Sequence, residues 1–288
     1  MPALIDLRKR IKSVRNTQQI TQAMKTVATA KFKKAQRIIL ESRPYWHGSP
    51  ELLKQVTFWA ERSDHPLLAK REERKILGMV MTSDKGLAGA FNSTLLGQTF
   101  SFFKEKSEHT EVSLVLMGKK AVTYFKKLSF PVRRVYSDQM DKLSSKDLKE
   151  LAYFLMRLYV LNETDAVYVA YNEFKSILAP RITITKLLPL EPPEKHEDKT
   201  LLPPDWEPET LPLIGTLLPL YIEAQIRHFF FESSAAEHAA RMMAMDNATR
   251  NADDLASDLM LILNKIRQAS ITKELLEIMT SVEALAKR

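Results

Sequence analysis

The chain has 288 residues, a net charge of +8 and 45% hydrophobic residues, enough apolar surface for a sizeable core and unlike the composition of a disordered chain. The absence of cysteine excludes disulfides, thiolate metal sites, iron–sulfur clusters and a cysteine nucleophile, and seven glycines are too few for a turn-dense β-sandwich or barrel. The most apolar run, Leu211–Ile222, is short and contains Pro212 and Pro219, so it falls short of the roughly 20 residues needed to span a bilayer; the start has no apolar signal segment, and a soluble intracellular protein is expected.

Residues 3–42 contain neither proline nor glycine. Leu4, Leu7, Ile11 and Val14, then Ile20, Met24, Val27 and Ile38, recur at helical, coiled-coil-like spacing, with the polar stretch Asn16–Gln19 as an interruption. Pro44, Gly48 and Pro50 predict a kink or break, and the first helical segment is set at 1–60. The pattern then changes. Strands are predicted at Lys75–Met81, Val112–Met117, Val132–Tyr136, Asp165–Tyr171 and Arg181–Leu188. Helices are predicted at Asn92–Lys106, Lys119–Leu128 and Ser144–Leu161, the last with Ser144 or Ser145 as its cap. This alternation predicts a small α/β domain with a mixed sheet over residues 74–190. A proline-rich loop follows, at 191–215, and then a helix over 216–288, free of proline and glycine from Leu220 onward.

About 68 residues of helix span roughly 100 Å, and 40 residues about 60 Å. A compact chain of this length has a radius of gyration near 19 Å, so the C-terminal helix has to project. The first 43 residues carry eleven bases against two acids, while 221–288 carry eight bases against ten acids. An antiparallel pair formed by the two terminal helices satisfies both apolar stripes and both charges, with Ala23, Ala28, Ala30, Ala236, Ala240, Ala248 and Ala252 expected at the seam. The longer helix then protrudes at Ile271–Leu285, whose apolar side chains call for a cavity in another protein. The basic start also fits a coiled-coil nucleic-acid binder, and the α/β segment an enzyme with a helical appendage.

The residues at Ile11–Lys31 (IKSVRNTQQITQAMKTVATAK), Ser83–Gly89 with Asn92, Glu237–Met245 (EHAARMMAM) and Asn264–Glu274 (NKIRQASITKE) resemble the γ subunit of F-type ATP synthases, in order along nearly the whole chain. Ser281–Val282 stand where that family has Gly-Ala. The resemblance implies a long antiparallel coiled coil rooted in a small Rossmann-like α/β domain. It implies a non-catalytic central-stalk rotor that couples ion-driven rotation of the c-ring to conformational cycling of the catalytic β subunits. The implied partners are the α and β subunits, ε and the c-ring, with no nucleic acid and no cofactor, at the cytoplasmic face of the bacterial plasma membrane and bound there through partners alone. Carried over by position, Met24, Arg241, Arg267, Gln268, Thr272 and Glu274 are the expected α/β contacts, and Trp206 and Glu207 the expected c-ring contacts.

Other motifs point to no chemistry. Ser83–Gly89 lies between a strand and a helix, as a phosphate loop does, but lacks the phosphate-binding glycine and lysine spacing. His238 has no second ligand at helical spacing, and the six histidines form no constellation; no catalytic residue and no metal site is expected.

Overall fold

The computed structural model describes the backbone of residues 2–59, 65–138, 140–176, 181–190 and 210–286. The chain runs α1 (Pro2–Trp59), β1 (Lys75–Met81), α2 (Phe91–Lys106), β2 (Glu111–Met117), α3 (Lys119–Phe125), β3 (Val132–Tyr136), α4 (Ser145–Val160), β4 (Ala166–Glu173), β5 (Arg181–Leu188) and α5 (Thr210–Ala286). It divides into two units: Met1–Ala28 with Met242–Arg288, and Thr29–Arg241.

In the larger unit the five strands form one sheet in the order β3-β2-β1-β4-β5, parallel except for the antiparallel β4–β5 pair. Alternation along the strands feeds two cores. Leu77, Met79, Met81, Val115, Met117, Val167, Val169 and Tyr171 point to the face covered by α4 and by the first turns of α5. Ile76, Val80, Leu114, Leu116 and Ala166 point to the face covered by α2 and α3. Gly78 sits mid-strand because the Phe103 ring lies on it; a Cβ there would come 2.2 Å from the ring. The α4 start is a full capping box, in which the Ser144 hydroxyl accepts from the Asp147 N–H and the Asp147 carboxylate accepts from the Ser144 N–H.

Two helix boundaries differ from expectation. Helical backbone continues past Pro44, Gly48 and Pro50 to Trp59, where a kink or a break was expected within the 1–60 segment; a proline costs one hydrogen bond of the ladder, and that need not end a helix. Likewise α5 begins at Thr210, before Pro212 and through Pro219. Proline is tolerated in a first turn. At Pro219 the local penalty of about 3 kcal/mol is opposed by Ile214, Leu218, Ile222 and Ile226, all buried in the core beneath β1, β2 and β4, each contributing about 1.5–3 kcal/mol.

An ionic knot ties the segment before β1 to three other elements. The Glu73 carboxylate accepts from Lys186 of β5 (2.7 Å), Lys106 of α2 (3.0 Å) and the Tyr168 hydroxyl of β4 (2.8 Å). Burial pushes this carboxyl up, but the hydrogen bonds from Lys186, Lys106 and Tyr168 outweigh it and hold it at about 2.

The smaller unit is an antiparallel helix pair. Gln18 donates to Asp253 (2.9 Å), the Thr249 hydroxyl donates to Thr21 (2.8 Å), and Lys25 donates to Asp246 (2.6 Å), so α5 numbers rise as α1 numbers fall. The inward positions of α1 are Leu4, Leu7, Ile11, Val14, Gln18, Thr21, Lys25 and Ala28, an unbroken 3,4 repeat. The expected interruption at Asn16–Gln19 is therefore absent, and polar residues occupy the seam itself. Ile20 and Val27, expected on the stripe, are 61% and 57% exposed. On α5 the buried positions of this unit are Met245, Ala252 and Ala256, while Leu255 and Ile262 face outward. Ala23 and Ala30 are also exposed, whereas Ala28, Ala236 and Ala252 are buried and Ala240 and Ala248 half-buried.

Three outcomes follow for measurement. Glu73→Gln should remove an acid-dependent component of stability. Because the folded carboxyl lies at about 2 against an ordinary 4.5, wild-type stability falls as pH drops from 4.5 through 2, and the variant, followed by chemical unfolding, should lack that slope. Gly118→Ala should destabilise by several kcal/mol, since Gly118 has φ +89° and a Cβ would come 2.2 Å from the Thr82 carbonyl oxygen; equal unfolding midpoints would contradict this. Lys25→Met should lower the melting temperature of the helix pair, and adding Asp246→Leu should restore it.

Candidate functional site

Six of the eight expected contact residues lie within the described side chains, and they fall into two settings. Arg267, Gln268, Thr272 and Glu274 are all exposed on α5 in the smaller unit. Thr272 turns its hydroxyl back to the Gln268 carbonyl at 3.0 Å, a local bond that leaves the helix surface to Arg267, Gln268 and Glu274. Around them the helix is apolar and bare: Ile271, Leu275, Leu276, Ile278, Met279 and Val282 are exposed, Met279 to 68%. Met24 is half-buried on α1, beside the Lys25 rung. Trp206 and Glu207, with the rest of the proline-rich loop at 191–209, lie outside the described residues.

Arg241 lies in the larger unit. It is 8% exposed and faces its own chain. Nε donates to the Gly86 carbonyl (3.3 Å), one terminal nitrogen donates to the Lys85 carbonyl (3.3 Å) and to the Glu237 carboxylate (2.8 Å), and the other lies 3.2 Å from His238 Nδ1. A guanidinium only donates, so Nδ1 accepts and the ring proton sits on Nε2. The residue fitted by type to fork onto a partner carboxylate has its fork taken up at home.

The same contact explains Ser83–Gly89. The loop leaves the carboxyl end of β1, where the strand order reverses between β1 and β4 and where doubly wound sheets bind nucleotides. Here that crevice is filled by α5: Ala88, Phe91 and Ala236 are buried together, with Phe174 and Ala240 against them. The polar atoms of the loop serve the fold. Asp84 accepts from the backbone N–H groups of Lys119 (2.9 Å), Asp138 (3.0 Å) and Met140 (2.9 Å). The Ser83 N–H donates to Asn92 Oδ1 (3.1 Å), and the Ser83 hydroxyl donates to the Lys85 carbonyl (2.6 Å).

Among the described residues no group of three or more His, Asp or Glu side chains is arranged to hold a metal, and no helix is long and apolar enough to cross a membrane. His238 has Arg241 as its neighbour rather than a ligand set.

The residues missed from sequence are the polar rungs Gln18–Asp253, Thr21–Thr249 and Lys25–Asp246. The signal was present: continuing Leu4, Leu7, Ile11, Val14 by strict 3,4 steps lands on 18, 21, 25 and 28. It was masked because Ile20, Met24 and Val27 offered a more hydrophobic alternative one position away.

Comparison with known proteins agrees with this architecture. The pattern of the family described as ATP synthase matches residues 3–285. The ATP synthase gamma chain of Pelotomaculum thermopropionicum is 41% identical over 99% of this chain and 100% of its own, and that of Solibacter usitatus is 42% identical over 99% of each. Among solved structures, a chain of the Euglena gracilis mitochondrial ATP synthase (OSCP/F1/c-ring) aligns with a TM-score of 0.67 at 19% identity, covering 99% of this chain and 95% of that one. A chain of the Tetrahymena thermophila central stalk and c-ring aligns with a TM-score of 0.60 at 21% identity, covering 80% and 99%. Matched end to end at this level of identity, the chain belongs to the ATP synthase gamma-chain family.

Proposed function

We propose that this chain is the non-catalytic rotor shaft of an F-type ATP synthase, turned by the ion-driven c-ring and driving the β subunits through their catalytic states. The observation that carries the proposal is the bare apolar end of α5. Six large apolar side chains between Ile271 and Val282 are exposed on one helix. Covering them recovers on the order of 10 kcal/mol, so a sleeve formed by other subunits is their natural environment. The α/β hexamer is that sleeve. A shaft with different side chains on each face offers each β subunit a different surface, and differential contact biases each subunit toward a different state.

Within that sleeve, Arg267 and Gln268 are the polar contacts to β loops, with Glu274 and Thr272 one turn further on and Met24 on the neighbouring helix. Arg267 is suited to a carboxylate, because its guanidinium offers paired donors that release and re-form as the shaft turns. The segments of the machine are the shaft helices at 1–60 and 216–288, the α/β base at 74–190, and the loop at 191–215, with Trp206 and Glu207 directed to the c-ring and ε seated against the base. The complex would then sit at the cytoplasmic face of a bacterial plasma membrane, held there by partners. Family membership displaces the nucleic-acid alternative, and the crevice filled by α5 argues against a nucleotide enzyme.

Two experiments test this. Removal of residues 272–288 should weaken assembly or torque in a complex reconstituted with α and β subunits while leaving the unfolding of the α/β body unchanged; a complex that rotates under load as wild type does would refute the role given to the tip. Arg267→Ala with Gln268→Ala should lower ATP hydrolysis by that complex about tenfold, as expected for loss of contacts worth roughly 1.4 kcal/mol at the rate-limiting state; unchanged turnover would remove both residues from the contact set.

A further inference from the structure

A shaft that carries torque must also be fastened to its base. We propose that the joint is the place where α5 crosses the carboxyl ends of β1 and β4, with Arg241 and Glu232 as its positioning residues. The proposal rests on the rotor function above and names the parts through which twist passes between the long helix and the α/β body.

Three observations carry it. First, α5 grips the body at two polar points nine residues apart. Glu232, 7% exposed, accepts from the Phe174 N–H just past the end of β4 (2.8 Å). Arg241 holds the carbonyls of Lys85 and Gly86 in the loop after β1. At 1.5 Å per residue the grips stand about 13 Å apart along the helix, and two separated grips resist rotation and sliding together, which one cannot.

Second, the helix face between them is small-residue and close-fitting. Ala236 is buried against Ala88 and Phe91, and Phe174 closes the gap. Phe174 also meets Phe32 of α1 edge-on, with ring centroids 5.2 Å apart, so both helices share the anchor.

Third, the loop held by Arg241 is stiffly mounted. Asp84 takes three backbone N–H groups from the α3 start and the turn after β3, Ser83 and Asn92 bond each other, and the Ser83 hydroxyl fixes the Lys85 carbonyl. A twist applied at Arg241 therefore reaches α2, α3 and the β3 end through hydrogen bonds rather than through a slack loop. Glu237 and His238 orient the guanidinium, at 2.8 and 3.2 Å. Charge-assisted bonds suit this use because they are directional and about twice as strong as neutral ones.

The test uses the full chain assembled with α and β subunits. Because the chain has no cysteine, Glu108→Cys on the exposed turn after α2 provides one attachment point for a bead on the α/β body, with the hexamer fixed to a surface. The readouts are the angular variance of the bead during pauses and the bulk hydrolysis rate. Arg241→Ala should raise the variance above that of wild type while hydrolysis stays near wild type, and Arg241→Lys, able to reach one carbonyl only, should fall between. Wild-type variance in both variants overturns the proposal. Lowered hydrolysis at wild-type variance also overturns it, assigning Arg241 to partner contact instead. If Arg241→Ala fails to assemble, Arg241→Lys and Glu232→Gln give the same two-way outcome. A parent complex whose bead does not turn under ATP would defeat the rotor function itself, a result separable from either.

Discussion

An α-helix offers one continuous surface, and every turn of it needs a partner or water. That constraint organises α5. From Ile214 to Phe230 its apolar side chains complete the core beneath the sheet. At Ala235 and Ala239 they meet Phe32, Ala35 and Ile39 of α1. From Met245 to Ala256 they face the N-terminal part of α1, where the seam alternates small apolar residues with polar rungs. Beyond Ser270 the described side chains of α5 are all exposed. A single helix thus passes through three chemical environments, and the change in its composition, from aromatic to alanine-rich to aliphatic, follows the change in what lies against it.

Strand and helix types in the α/β body were legible in the sequence because β1, β2 and β4 are short apolar runs, β5 alternates apolar and polar residues, and the α4 capping box is a local signal. The seam was less legible. Hydrophobicity favoured Ile20 and Val27, yet geometry favours Gln18, Thr21 and Lys25, since a residue can hold a seam position by hydrogen bonding across it as well as by packing. Pattern reading scores apolar character and passes over that option. Ile20 and Val27 are then left on an outward face.

Arg241 shows a different limit. Its residue type fits a carboxylate fork, and its position on a long helix fits a partner surface. What decides its contacts within the chain is the crossing of α5 over the loop after β1, a contact between residues 155 positions apart that no local pattern encodes. The Ser83–Gly89 loop has the same history: it stands where nucleotide-binding sheets keep their phosphate loop, but its backbone carbonyls are given to an arginine and its carboxylate to backbone amides. The inherited crevice of a doubly wound sheet has become a socket for a helix.

The ladder of Gln18, Thr21 and Lys25 against Asp253, Thr249 and Asp246 works as a keyway. Each rung differs from the next, so the helices mesh in one setting only. A slide of seven residues would bring Lys25 to Asp253, but it would strand Asp246 without its lysine and set Gln18 level with Met260, an ether-like sulfur in place of a carboxylate. An all-leucine seam would tolerate such a slide with little loss. In a rotor subunit, backlash along such a seam would dissipate part of any twist it carries, and a seam that refuses to creep keeps that twist intact.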